Sequence, residues 1–285
     1  MKKLISFSIC MGLLFFLTSC VKTQTPNKST ISSIQATSIS NSSVQTSSTT
    51  GSSASSTYKI ENSYITITNT SAKYFIQTYI FTDESHKNSK VTIRFPELIG
   101  NNLDKVNGII KDYVIGFAAN CYGADYSGLS LDVDYHLTFN DDDWLSISFN
   151  GFGNVKTAAY PNDILQTMNI NLKNGSMLKL SDIYTVNKDF AHIFRKEYVE
   201  QITSRFDLAD DLAGQAVKTF LDQYDDQTLM GYLSDSCCYM TPNKLGISFD
   251  LPHAAGDHFE TEIPYSALSQ DLKMKTAPFN LVEIK

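Results

Sequence analysis

Two runs of apolar alternation, separated by four polar residues, limit the folds open to this chain. Leu129, Leu131, Val133, Tyr135, Leu137 and Phe139 alternate with polar neighbours, and Leu145, Ile147 and Phe149 resume the pattern after Asn140, Asp141, Asp142 and Asp143. A period of two puts each set on one face of a strand, so the pair reads as an antiparallel hairpin with one buried face. The acidic link lacks the later Gly and Glu that a calcium loop of the EF-hand type requires, and it reads as a solvated turn.

Other elements follow from the same periodicities. Residues 64–68, 74–81 and 91–95 are rich in β-formers and bounded by turn residues. Leu103, Val106, Ile110, Tyr113, Val114 and Phe117 recur at helical steps and predict a helix with one face on a sheet. After the central hairpin, Met168, Ile170 and Leu172 alternate, and Asn174-Gly175 is a strong turn signal before a return strand at 177–180. Helical stripes lie around Phe190, Ile193, Phe194 and Tyr198, and around Leu212, Ala216, Phe220 and Tyr224; both read as packing faces. A second hairpin spans Tyr239 to Leu251, with a strand at 259–263, a short helix near Leu268 and an edge strand at 279–284. Strands, then helices, then strands, joined by hairpins, predict an α+β fold: antiparallel sheets built from hairpins with packed helices.

The N-terminus has a different character. Lys2 and Lys3 precede an apolar run that is too short to span a membrane and fits a signal-peptide core. It ends on Leu17-Thr18-Ser19-Cys20, which resembles the lipobox of bacterial lipoproteins. That resemblance implies cleavage before Cys20, lipidation of its thiol, and anchoring to the outer face of the membrane of a Gram-positive type cell envelope. The residues that follow are mostly Ser, Thr, Asn and Gln, with too little apolar area to offset the entropy of ordering them. As a flexible coil this tether spans roughly 35 Å r.m.s.. The predicted organisation is a signal peptide at 1–19, lipidated Cys20 with a disordered tether over 20–57, and two α+β parts, at 58–128 and 129–285.

Removing Lys2 and Lys3 takes the formal charge from −7 to −9. No Lys/Arg cluster stands out, which argues against nucleic acid as a partner. Acidity suits a cationic partner instead. Of five cysteines, Cys10 falls in the signal and Cys20 is the anchor, leaving Cys121, Cys237 and Cys238. Export permits a disulfide from Cys121 to Cys237 or Cys238. That pairing, or free buried thiols, is favoured over a metal site, since adjacent cysteines do not readily face one ion.

The strings "TAAYPNDILQTMNINLKNGSMLKLSDIY" and "YMTPNKLGISFDLPHAAGDHFETEIPY" are similar to an extracellular domain of unknown function in RsiV-type anti-sigma factors and PdaC-type peptidoglycan deacetylases. The likeness covers most of 58–285 and is strongest after Leu129. It implies an α+β fold whose surface binds something in the envelope, since the anti-sigma members sense lysozyme and the deacetylase members carry the domain beside a catalytic one. This chain shows neither a transmembrane segment with an anti-sigma region nor a deacetylase domain, so binding is what the resemblance carries over. Members often have His before the Pro where this chain has Tyr160.

These readings converge on a binding module for peptidoglycan or a wall-active protein such as lysozyme, with a hydrolase of cell-wall polymer as the alternative. The link from Phe152 to Asp163 is the expected contact surface, because long connections between strands are often functional. Its candidate ligand-binding residues are Phe152, Lys156, Tyr160, Pro161 and Asn162, joined by Pro252 and His253. Tyr160 and Pro161 read equally as a contact and as a cover for the sheet end. No catalytic residue and no cofactor is assigned, because Gly-x-Ser-x-Gly, His-Glu-x-x-His and Cys-x-x-Cys are all missing. His253, Asp257, His258, Glu260 and Glu262 form the densest polar cluster, and they read as a turn and the polar face of a strand rather than a metal site.

Overall fold

A computed structural model describes residues 49–53, 56–68, 72–156, 158–205, 212–268 and 270–273. The signal peptide, Cys20, most of the tether and the 279–284 strand lie outside the described residues. Among those described, no helix is long and apolar enough to cross a membrane. The first sheet contains β1 (Thr49–Ser53), β2 (Ser56–Thr68), β3 (Phe75–Asp83), β4 (Lys90–Ile99), β5 (Leu129–Asn140), β6 (Trp144–Val155), β7 (Asn162–Asn171) and β8 (Ser176–Leu178), paired in that order. Among the described residues strand pairing thus begins at Thr49, inside the stretch expected to be tether, where β1 pairs with β2.

One junction departs from the expected hairpins. β4 and β5 pair in parallel, Lys90 opposite Ser130. Parallel neighbours need a crossover, and the predicted helix, α1 (Asp104–Tyr122), supplies it. Val106, Ile110, Val114 and Phe117 of α1 are buried with Ile76, Ile93, Val133, Ile147, Phe149 and Ile170 of the sheet. Asn107 ties α1 to the end of β4, accepting from Leu98 N at 2.9 Å and donating to Leu98 O at 2.8 Å. The sheet therefore runs across the expected division at Gly128, and the second apolar cluster takes Trp144 of β6 together with residues from Leu180 onward.

The second cluster gathers α2 (Leu180–Ile183), α3 (Lys188–Arg205), α4 (Leu212–Phe220), α5 (Asp226–Asp235) and a sheet ordered β11-β10-β9. Those strands are β9 (Cys238–Met240), β10 (Lys244–Asp250) and β11 (His258–Pro264). Phe190, Phe194, Tyr198, Phe249 and Phe259 form its aromatic centre. Tyr198 satisfies its buried hydroxyl by donating to Val217 O at 2.7 Å. The Arg195 guanidinium donates to Leu221 O and Tyr224 O at 2.7 and 2.6 Å, holding the turn that follows α4. Helix α5 escapes the sequence reading; its signal is Asp225, which accepts from Thr228 N at 2.8 Å as an N-cap.

The two sheets meet through a buried polar seam. Alternation on β5 to β7 sends Thr138, Ser146 and Asn169 to the face opposite α1. The Ser146 hydroxyl accepts from Thr138 Oγ1 at 2.8 Å and Met240 N at 2.9 Å, and donates to Asn169 Oδ1 at 2.7 Å. Asn169 Nδ2 then donates to Cys238 O at 2.8 Å. Of the alternatives left open for the thiols, the structure has the free one: Cys121, Cys237 and Cys238 are all free. Cys121 ends a helix of the first cluster, whereas Cys238 is buried in the second, with its thiol against Asn169. The acidic turn behaves as expected of a solvated link, with Asp142 on Lys73 at 2.8 Å and Asp143 on Lys173 at 2.6 Å.

Replacing Asn169 by Ala leaves the Ser146 hydroxyl and the Cys238 carbonyl short of partners, each a buried polar group. The expected loss is about 2–4 kcal/mol in urea unfolding. A loss under about 1 kcal/mol contradicts the seam's role.

Candidate functional site

The expected long connection is shorter than the sequence implies. β6 and β7 continue their pairing to Gly153 opposite Asn162, so the link between them begins only after Val155 and ends before Asn162. Glycines explain why this part of β6 loses its apolar alternation. A Cβ on Gly151 would stand 2.1 Å from Asp132 O, and one on Gly153 would stand 1.8 Å from the Tyr122 hydroxyl. At Gly151 backbone leaves no room for a side chain, and at Gly153 one would displace the Tyr122 ring; Phe152 between them faces the other side of the strand and is 61% exposed.

The loop at 156–161 meets the link from β10 to β11. Gly256 and Asp257 take positive φ, 104° and 67°, a conformation costly for an aspartate. Three contacts hold the Asp257 carboxylate there. Its Oδ2 accepts from Asp163 N at 2.8 Å, and its Oδ1 from Asn162 Nδ2 at 3.3 Å. The same Oδ1 lies 2.7 Å from His253 Nδ1. Tyr160, 70% exposed, lies beside His253 with ring centroids 6.3 Å apart.

Tyr160, Asn162 and His253 are therefore brought together around Asp257, and Phe152 stands opposite Asp163 on the adjoining strand. Lys156, Pro161 and Pro252 are exposed on the two loops that carry them. The roles of Asp163 and Asp257 in joining the loops are not legible in local spacing, because their partners lie 94 and 95 positions away. Among the described residues, no group of three or more His, Cys, Asp or Glu side chains is placed to hold a metal ion. The thiols offer no ready nucleophile, since burial pushes Cys238 up to about 12.

His258 and Glu260 sit beneath this surface on β11, with Nδ1 and Oε1 2.7 Å apart, while His258 Nε2 is 3.7 Å from Asp163 Oδ1. Burial pushes the imidazole's pKa down, but the Glu260 and Asp163 carboxylates outweigh it and the net shift is upward from 6.5. Glu260 moves the other way, down from 4.5, chiefly through its contact with His258.

The chain matches no family model and no curated protein. Among solved structures it is similar to a DUF3298 family member from Bacteroides fragilis, with 15% identity and a TM-score of 0.48, covering 72% of this chain and 96% of that one. It is also similar to a DUF3298 family protein from Pseudomonas aeruginosa, with 11% identity and a TM-score of 0.41, covering 70% and 93%.

Two predictions follow from the geometry. Asp257→Ala removes the carboxylate that bridges Asn162 and Asp163 N to the turn at Gly256 and Asp257, and should lower stability by about 1–3 kcal/mol in thermal unfolding. His258→Gln should cost most between pH 4.5 and 6.5. The raised histidine contributes fully below 6.5 and fades as pH climbs through its folded pKa; the lowered Glu260 contributes above 4.5 and fades as pH falls through its own. Melting curves at about pH 5.5 and 8 check this, and a penalty larger at pH 8 contradicts it.

Proposed function

We propose that the chain is a lipid-anchored module that binds a component of the cell envelope outside the membrane. The observation that carries this reading is the exposed pair of Tyr160 and His253, on two loops joined through the Asp257 carboxylate, with exposed Phe152 on the adjoining strand β6. A pre-fixed aromatic surface loses little entropy on binding, and aromatic residues dominate contact energies at interfaces. Cys20 and the tether place the domain at the extracellular face, within reach of wall polymer and of wall-active proteins. The resemblance to the extracellular domain of RsiV-type and PdaC-type proteins supports the same partners: peptidoglycan, and a cationic protein such as lysozyme. Acidity favours the second through faster encounter, with strong dependence on salt.

The test is a pull-down of the mature chain, from Cys20 to Lys285, against purified peptidoglycan and against lysozyme at low and high salt. Saturable capture by one of them is expected, with Tyr160→Ala weakening it by about tenfold, as loss of a central aromatic contact does. Lysozyme capture should fall as salt rises. Absence of capture by both, or capture indifferent to Tyr160, contradicts the reading.

A further inference from the structure

A cleft of about 310 Å³ lies between the seam face of the large sheet and the second sheet. Its size is at the lower end of small-molecule sites, which run from about 300 to 1,000 Å³. His136 and Thr138 of β5, Asn150 of β6, Arg205 of α3, Tyr239 of β9 and Glu260 of β11 line it. No two of these adjoin in sequence, so the cleft exists only because the seam holds β9 to β11 against β5 and β6.

Its chemistry is uneven. Glu260 is already engaged by His258, so its charge is locally compensated. Arg205 makes no ion pair among the described residues and lies over the Phe259 ring, with Cζ 4.7 Å from the centroid. A guanidinium stacked on an aromatic face keeps its in-plane N–H groups free, the geometry that grips a carboxylate with two parallel bonds. The Asn150 carboxamide oxygen is buried with no hydrogen-bond partner, a group that gains from a donor. The Tyr239 ring is held in place by the absence of a side chain at Gly246, where a Cβ would be 2.1 Å from its Cζ. Together these offer a cation, an aromatic ring, hydroxyl groups and one carboxamide along a single open cleft.

We infer that this cleft binds a hydroxyl-rich carboxylic acid, an acidic sugar or a glycan unit bearing a carboxylate, with Arg205 on the carboxylate. Tyr239 packs against the sugar ring, and Thr138, His136 and Asn150 meet its hydroxyls. The inference does not require the envelope reading, because the cleft is lined by residues other than Tyr160, Phe152 and His253.

Titration calorimetry of the mature chain with sodium glucuronate, and separately with glucose, tests it. Glucuronate should bind saturably and at least about tenfold tighter than glucose, the scale expected of a charge-assisted pair. Arg205→Gln should erase that preference while the protein stays folded with a cooperative melt, Tyr239→Ala should weaken both sugars, and Tyr160→Ala should change neither. Equal binding of the two sugars, an unaltered preference in Arg205→Gln, or no saturable binding overturns the assignment. Loss of glucuronate binding in Tyr160→Ala overturns it as well, by moving the site to the loops. A failed pull-down with intact glucuronate binding rejects the envelope partners and leaves the cleft standing.

Discussion

One hydroxyl, that of Ser146, sets how the two sheets sit against each other. It accepts from Thr138 and Met240 N and donates to Asn169, which itself reaches Cys238 O. A buried network of this kind fixes register more tightly than apolar packing, because a slip of one residue strands several polar groups together. The rest of the molecule builds on that registration. It brings β10 and β11 near the start of β7, which lets Asp257 reach Asn162 and Asp163, and it walls off the cleft between His136 and Arg205.

Much of the fold is legible in the sequence because its elements are amphipathic. The alternation from Leu129 to Phe149 predicts β5 and β6, and the stripe from Leu103 to Phe117 predicts α1, since each buries one face on the same cluster. The parallel joining of β4 to β5 is not legible, because a crossover helix and a helix between hairpins carry the same stripe. The early start of β2 is missed for another reason: its first residues, Ser56 and Thr57, pair through backbone groups and carry almost no apolar signal. Helix α5 is missed because Leu229 and Leu233 alone form its buried stripe.

The site is legible in part. Tyr160, Asn162 and His253 stand out as polar or aromatic residues in turns, and they do meet. What joins them is invisible to local reading, since Asp257 holds residues from a strand far earlier in the chain. The length of the connecting loop is also overestimated from sequence, because Gly151 and Gly153 interrupt an alternation that the backbone continues. Those glycines are there for close approach: they let Asp132 O and Tyr122 come up against β6, while Phe152 between them faces the other side of the strand and is exposed.

The proposed recognition surface lies at the loops around Asp257, away from the sheet face that α1 covers. Amide hydrogen exchange of the mature chain, with and without soluble peptidoglycan fragments or lysozyme, reads that most directly. Slowed exchange confined to 156–163 and 251–258, with α1 unchanged, is the expected result. Protection spread over α1 and β4, or none with either partner, contradicts the account.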